Sequence, residues 1–192
     1  MYRRNLPHWH PQGPAVFVTW RLFGSLPRRP IAKATASEDA GKAFRDFDVR
    51  LDRAEFGPTW LACPSIAEQL VRIVRASGDE RSLCVLHAFV VMPNHVHLLI
   101  TPARPLCEIT RWIKGTSARR ANEFLRRTGS PFWQDESFDH WARNGAEFEK
   151  IQDYIWNNPV KAGLAERPGE WPYSDCPRRA QAKACATDEV IC

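Results

Sequence analysis

Long apolar runs are missing from this sequence. Nothing approaches the ~20 consecutive apolar residues that a helical membrane span needs, which excludes that class of membrane protein. The opening MYRRNLPHWHPQG carries basic residues but no apolar core of a secretion signal, so export is not expected and the cytoplasm is the default compartment. Ligand-spaced cysteines are also lacking. Cys63, Cys84, Cys107, Cys176, Cys185 and Cys192 are scattered without a CxxC pair, so they read as reduced thiols, neither a disulfide framework nor a zinc site. There is no GxxxxGK[ST], no GxGxxG and no internal repeat, which leaves nucleotide-hydrolysing and dinucleotide-binding readings without a foothold.

What is present is globular: 192 residues, 44% apolar and 26% charged. That suits one domain, residues 1–175, followed by an aperiodic tail, 176–192, that reads as mobile. Residues 1–13 are polar and proline-rich and are expected to wrap the surface. PAVFVTWRLF (14–23) has strand composition and is closed by Gly24 and Pro27. The charged stretch 36–56 has helical spacing through Phe44, Phe47 and Leu51. Ser65 opens a further helix, capped by its own hydroxyl and running to Gly78-Asp79. Residues 82–92 and 95–101 read as an antiparallel hairpin turning at Pro93-Asn94. A helix over 107–127, a short strand over 138–143 and a helix over 145–157 follow. Asn144 and Glu147 form a capping-box pattern, and Pro159 is expected to end the last helix. The order predicts an α+β domain of ferredoxin-like βαββαβ type, an antiparallel sheet with helices on one face.

His95 and His97 stand two apart in a predicted strand, so both imidazoles share one face. Such a pair either holds a divalent metal with positions left open, or is simply a polar strand face. Tyr154 and Asn158 stand at i and i+4 on the last helix. Two readings remain open for them. The phenol attacks a phosphate that a metal polarises while the amide oxygen completes the metal shell, or Tyr154 is half-buried and Asn158 is a helix C-cap. His87 and His140 read as structural histidines. His8 and His10 lie in the N-terminal segment, and Trp9 and Trp133 are candidates for stacking on bases.

Several strings then point one way together. MPNHVHLLI resembles the His-hydrophobe-His motif of the single-tyrosine (Y1) transposases of IS200-like type. WIKGTSARRAN, FWQDESFDHWAR, YIWNNPVKAGL and WPYSD resemble the branch called REP-associated tyrosine transposases, the match running in order over residues 14–175. The resemblance implies a ferredoxin-like fold with the nucleophilic tyrosine on a C-terminal helix. It also implies metal-dependent cleavage and rejoining of single-stranded DNA next to DNA hairpins, through a 5′-phosphotyrosine. It makes Tyr154 the nucleophile and His95, His97 and Asn158 the ligands of Mg²⁺ or Mn²⁺. The resemblance implies a working unit that is a monomer or a homodimer. The charged insertion at about 31–60 has no equivalent in the shortest family members and either caps the sheet or lines the DNA surface.

The net charge of +5 fits this expectation. Residues 104–127 hold seven basic residues against Glu108 and Glu123, and that local excess equals the whole net charge. Arg111, Lys114, Arg119, Arg120, Arg126 and Arg127 are therefore the candidate DNA contacts, against the alternative of a solvated helix face. Two other functions compete with an active transposase. One is a hairpin-binding relative that does not cut. The other is a metal-dependent phosphohydrolase; its histidine-triad form lacks a ligand, because Leu99 stands where a third histidine is required.

Overall fold

A computed structural model describes residues 13–26 and 46–177 of the chain. The N-terminal segment with His8, Trp9 and His10, residues 31–45 of the insertion including Phe44, and the tail beyond 177 lie outside the described residues. Strand β1 is Val16–Arg21, β2 Cys84–Val91, β3 His95–Pro102 and β4 Phe138–Trp141. Helical residues 46–52 are called α1; α2 is Pro64–Asp79, α3 Leu106–Phe124 and α4 Gly145–Lys161. The strands form one antiparallel sheet in the order β2-β3-β1-β4, which is the ferredoxin-like topology with α2 and α3 as its crossovers.

Alternation along the strands splits the core in two. Val16, Val18 and Trp20 of β1 and Val96, Leu98 and Ile100 of β3 face α2 and α3, burying Leu70, Ile73, Ile109 and Ile113. Ala15, Phe17, Val90 and Leu99 point the other way, under Phe148, Ile151 and Ile155 of α4. The expectation of helices on one face thus describes α2 and α3, while α4 covers the opposite face. That second face is where His95 and His97 project.

Several helix ends differ from their sequence reading. Ser65 does not cap α2; Cys63 occupies the N-cap position without a side-chain bond and Pro64 takes the first helical position, where its missing N–H costs nothing. Asn144 Oδ1 does accept from the Glu147 N–H at 2.9 Å, as the capping pattern predicts. Pro159 does not end α4, which runs on to Lys161 with Ala162 as its C-cap, so Asn158 is inside the helix and is not a C-cap. A proline this near the C-terminus removes a single backbone bond, and Gly163 (φ +70°) then turns the chain away. The β2–β3 hairpin turns at Pro93-Asn94, where Met92 N–H reaches His95 O at 2.9 Å.

Candidate active site

Strand β3 places His95 opposite Arg21 and His97 opposite Thr19 of β1, and both imidazoles are fully buried. Each ring is held from behind. Asn94 donates its amide N–H to Leu51 O at 3.0 Å, which turns its oxygen to His95 Nδ1 at 2.7 Å. His95 Nδ1 therefore carries the proton and Nε2 keeps its lone pair. His97 Nδ1 lies 2.7 Å from Thr19 Oγ1, and Phe17 stacks on the His97 ring at 5.4 Å. The two Nε2 atoms are left 3.1 Å apart. Burial, with His97 beside it, pushes the His95 pKa down to about 3, so this imidazole is neutral at ordinary pH.

Helix α1 brings two carboxylates to the same point. Asp48 Oδ1 is 3.3 Å from His97 Nε2 and 3.9 Å from His95 Nε2, and Asp52 Oδ1 is 3.7 Å from His95 Nε2. Helix α4 supplies the remaining groups: the Tyr154 hydroxyl donates to Asp48 Oδ2, and Asn158 Nδ2 donates to the same oxygen at 3.4 Å. Burial works to raise the Asp48 pKa, but His97, His95 and the Asn158 hydrogen bond outweigh it and hold this carboxyl below its usual range. Asp52 goes the other way. Burial first, then the Asp48 charge, raises its pKa to about 7.

The donor set fits a divalent cation. Asp48 Oδ1, Asp52 Oδ1 and Asn158 Oδ1 are buried acceptors without a hydrogen-bond partner, a costly arrangement unless something positive meets them. The ligand atoms of Asp48, His95 and His97 lie within 4.8 Å of one another. Mixed imidazole and oxygen donors suit Mg²⁺ or Mn²⁺ as well as softer ions. Of the residues singled out in the sequence, the structure brings together His95, His97, Tyr154 and Asn158. Asp48 is the group the sequence reading missed. Asp48 and Asp52 stand at i and i+4 on the same side of the charged helix as Leu51, and an acidic pair on the buried stripe was the available signal.

The candidate DNA contacts lie elsewhere. Helix α3 packs on the sheet face opposite the imidazoles. Arg111, Arg119, Arg120 and Arg126 are exposed there. Lys114 and Arg127 are committed internally: Lys114 Nζ donates to Gln134 O at 2.7 Å and Asp135 O at 3.0 Å, and the Arg127 guanidinium lies 3.9 Å over Trp60. Trp133 is buried and donates to Ser117 Oγ at 2.9 Å, so it is a core residue and not a platform for bases. His87 bonds Thr101 at 2.8 Å and His140 bonds Glu147 at 2.8 Å, both in structural roles. Cys63, Cys84, Cys107 and Cys176 are free thiols.

Comparison with known proteins bears on this geometry. The family described as IS200-like transposases matches residues 63–158, half of the 192-residue chain. The matched stretch holds both histidines, Tyr154 and Asn158 but ends short of α1 on the N-terminal side. A REP-associated tyrosine transposase of Escherichia coli K12 is 31% identical over 91 residues, 46% of this chain and 52% of that protein. A protein of Haemophilus influenzae assigned provisionally to the same group is 28% identical over 112 residues, 53% of this chain and 64% of that protein. The chain thus spans between about half and two-thirds of the length of these relatives. A solved structure described as a REP-associated tyrosine transposase bound to a REP hairpin has a TM-score of 0.54 at 21% identity, covering 96% of this chain and 86% of that one, a likeness of fold.

Proposed function

We propose, from the premise that this chain belongs to the IS200-like transposase family, that it cuts and rejoins single-stranded DNA beside hairpins through Tyr154. The observation that carries the reading is the Tyr154 hydroxyl donating to a carboxylate whose other oxygen faces both buried imidazoles. His95, His97 and Asn158, with Asp48 as a further oxygen donor, would hold Mg²⁺ or Mn²⁺, which would withdraw charge from the scissile phosphate.

The chain's own groups do the rest. The Tyr154 oxygen attacks phosphorus, its new P–O bond forming as the bond to the 3′ oxygen breaks, which leaves a 5′-phosphotyrosine and a free 3′-OH. A phenol with an ordinary pKa near ~10 must lose its proton in that step, and Asp48 Oδ2 already accepts the hydroxyl hydrogen. Phe17, edge-on to Tyr154 at 6.0 Å and stacked on His97, fixes the angle between nucleophile and imidazole. Attack of another 3′-OH on the phosphotyrosine reverses the chemistry and joins the strand. The linkage retains the bond energy, so no nucleotide is consumed, in keeping with the missing phosphate-binding loop.

The hairpin partner is proposed for the exposed arginines of α3, Arg111, Arg119 and Arg120, and Arg126 just beyond its end, where phosphate contacts need no base readout. The test uses single-stranded oligonucleotides copied from inverted repeats flanking the gene, incubated with Mn²⁺ and resolved on denaturing gels. Wild-type protein forms a covalent DNA adduct that chelator abolishes, and Tyr154→Phe forms none. An adduct in the phenylalanine variant, or hairpin binding by wild type with no adduct on any such strand, overturns the reading in favour of a different nucleophile or a non-cutting binder.

A further inference from the structure

Helix α4 carries a third residue on the face that bears Tyr154 and Asn158. Lys161 follows them at i+7 from the tyrosine, two turns along the same stripe. Its Nζ lies 4.3 Å from the centre of the Tyr154 ring. The side chain is exposed, and among the described residues it forms no ion pair. A lysine in a last helical turn has an ordinary use in meeting the helix dipole. That use fixes no direction for the ammonium, whereas here it is laid across the nucleophile.

The surroundings say what the ammonium faces. A cleft of about 350 Å³ is lined by Asp48, Asp52, Arg53, Tyr154 and Lys161. A second hollow of about 390 Å³ shares Tyr154 and Lys161 with Lys150, Asp153 and Asn157. Tyr154 and Lys161 are thus the residues common to both hollows, and each hollow adds a second cation, Arg53 in one and Lys150 in the other. Arg53 is exposed and, among the described residues, also forms no ion pair. The carboxylates in the first hollow are already engaged: Asp48 is bonded by Tyr154 and Asn158, and Asp52 lies against His95. Two exposed cations lining the hollow that holds the phenol, of which Lys161 also acts on the Asp52 charge, match a chain with one negative charge per nucleotide better than a cationic ligand.

We propose that Lys161 and Arg53 form a phosphate subsite that grips the single strand beside the phosphodiester attacked by Tyr154. The inference rests on the transposase reading and names the contact that reading lacks, since the arginines of α3 lie on the other face of the sheet. Lys161 positions the strand through direct contact with a backbone phosphate next to the scissile one. Its Nζ lies over the Tyr154 ring, so strand and nucleophile are aligned by the same residue.

The experiment measures binding of a fluorescent single-stranded DNA 12-mer of mixed sequence by anisotropy across a salt series. The same 12-mer with a neutral methylphosphonate backbone serves as comparison, and adduct formation is scored separately on the hairpin strands. Lys161→Met keeps a flexible side chain of similar length and removes the charge; Lys161→Arg keeps the charge. The methionine variant and Arg53→Ala should each weaken binding of the ordinary 12-mer about 10-fold, the loss of one charge-assisted contact, and reduce the salt slope by ~0.7. Lys161→Arg should stay within about threefold of wild type, and none of the variants should alter binding of the neutral strand. Unchanged affinity and slope in Lys161→Met, or an equal loss on the neutral strand, overturns the subsite. Wild-type adduct formation with no effect of Lys161→Met would remove the subsite and leave the transposase reading standing. Charge-dependent binding through Lys161 with no adduct would do the reverse.

Discussion

Asp48 faces two ways, and that is what makes it central. One oxygen looks at the imidazoles and lacks a hydrogen-bond partner; the other accepts from Tyr154 and Asn158. Its neighbour Asp52 has the opposite temperament, with a pKa of about 7 in the folded protein against 3.8 for a free carboxyl. A carboxyl that holds its proton more tightly when folded contributes stability that is complete below its unfolded pKa and is lost as pH rises through its folded one. His95, neutral when folded and protonated when unfolded, acts in the other sense, its contribution lost as pH falls below about 6.5. Asp52→Asn removes the first effect alone. In chelator-treated protein, urea unfolding should show the asparagine variant gaining on wild type between pH 4 and pH 8, by ~1 kcal/mol or more. A stability difference that stays constant across that range would reject the assignment. His95, His97, Tyr154 and Asn158 were readable in the sequence because each pair is close along the chain, where strand and helix periodicity fix relative direction. Asp48 was not, because an acidic residue in a charged helix looks solvated until the fold sets a sheet beneath it.

Among the elements, the segment after α4 shows how an exposed strand edge is closed. β2 is one edge strand of the sheet, and residues 171–175 run along it. Val91 N–H reaches Tyr173 O at 2.8 Å, Phe89 N–H reaches Asp175 Oδ1 at 2.8 Å, and the indole of Trp171 donates to Val91 O at 2.8 Å. Asp175 also accepts from the Trp156 indole at 3.2 Å, tying the strap to α4. Asp175→Ala leaves the Phe89 N–H of this edge and the Trp156 indole of α4 without an acceptor. It should cost ~1–3 kcal/mol by urea unfolding and increase self-association in light scattering at high concentration, since a bare β2 edge can pair with a second copy. An unchanged unfolding midpoint would show that the strap holds by its aromatic contacts alone. WPYSD stood out in the sequence as a motif, but its pairing did not, because no local rule links it to a strand more than eighty residues earlier. The hairpin, α2, α3 and α4 were legible through their periodicity and turn residues. What periodicity does not carry is the sheet face a helix covers, and so the placement of α4 opposite α2 and α3 emerged only from the packing.

At the scale of the whole molecule, the imidazoles and the arginines of α3 lie on opposite faces of one sheet, yet α3 is tied through Lys114 to the end of it that carries His95. Gln134 N–H bonds Arg21 O at 2.9 Å, Arg21 stands opposite His95, and Lys114 of α3 bonds the carbonyls of Gln134 and Asp135. A hairpin lying on α3 would therefore send its single strand around this end of the sheet to reach Tyr154. The duplex and strand contacts should separate in experiment. Arg119→Ala with Arg120→Ala should weaken hairpin binding about 10-fold and lower its salt slope by ~2, while leaving binding of a short unpaired strand unchanged. Equal losses on both DNAs would place those arginines on the strand path and not on the duplex.

The contacts that define the site have a further consequence for how it comes into being. Tyr154 and Asp48 are 106 residues apart in the chain, Asn158 and Asp48 110, Thr19 and His97 78, and Asn94 and Leu51 43. Closing such loops is slow relative to forming a helix or a hairpin, so the local elements precede the site in time. A nascent chain still short of α4 has its sheet but no Tyr154, and a chain in which α1 has not docked has Tyr154 without the carboxylate beside it. On the proposed reading, a site built this way has no cutting ability to misuse while unfinished. The full set of groups around Asp48 arrives last, with the completed fold.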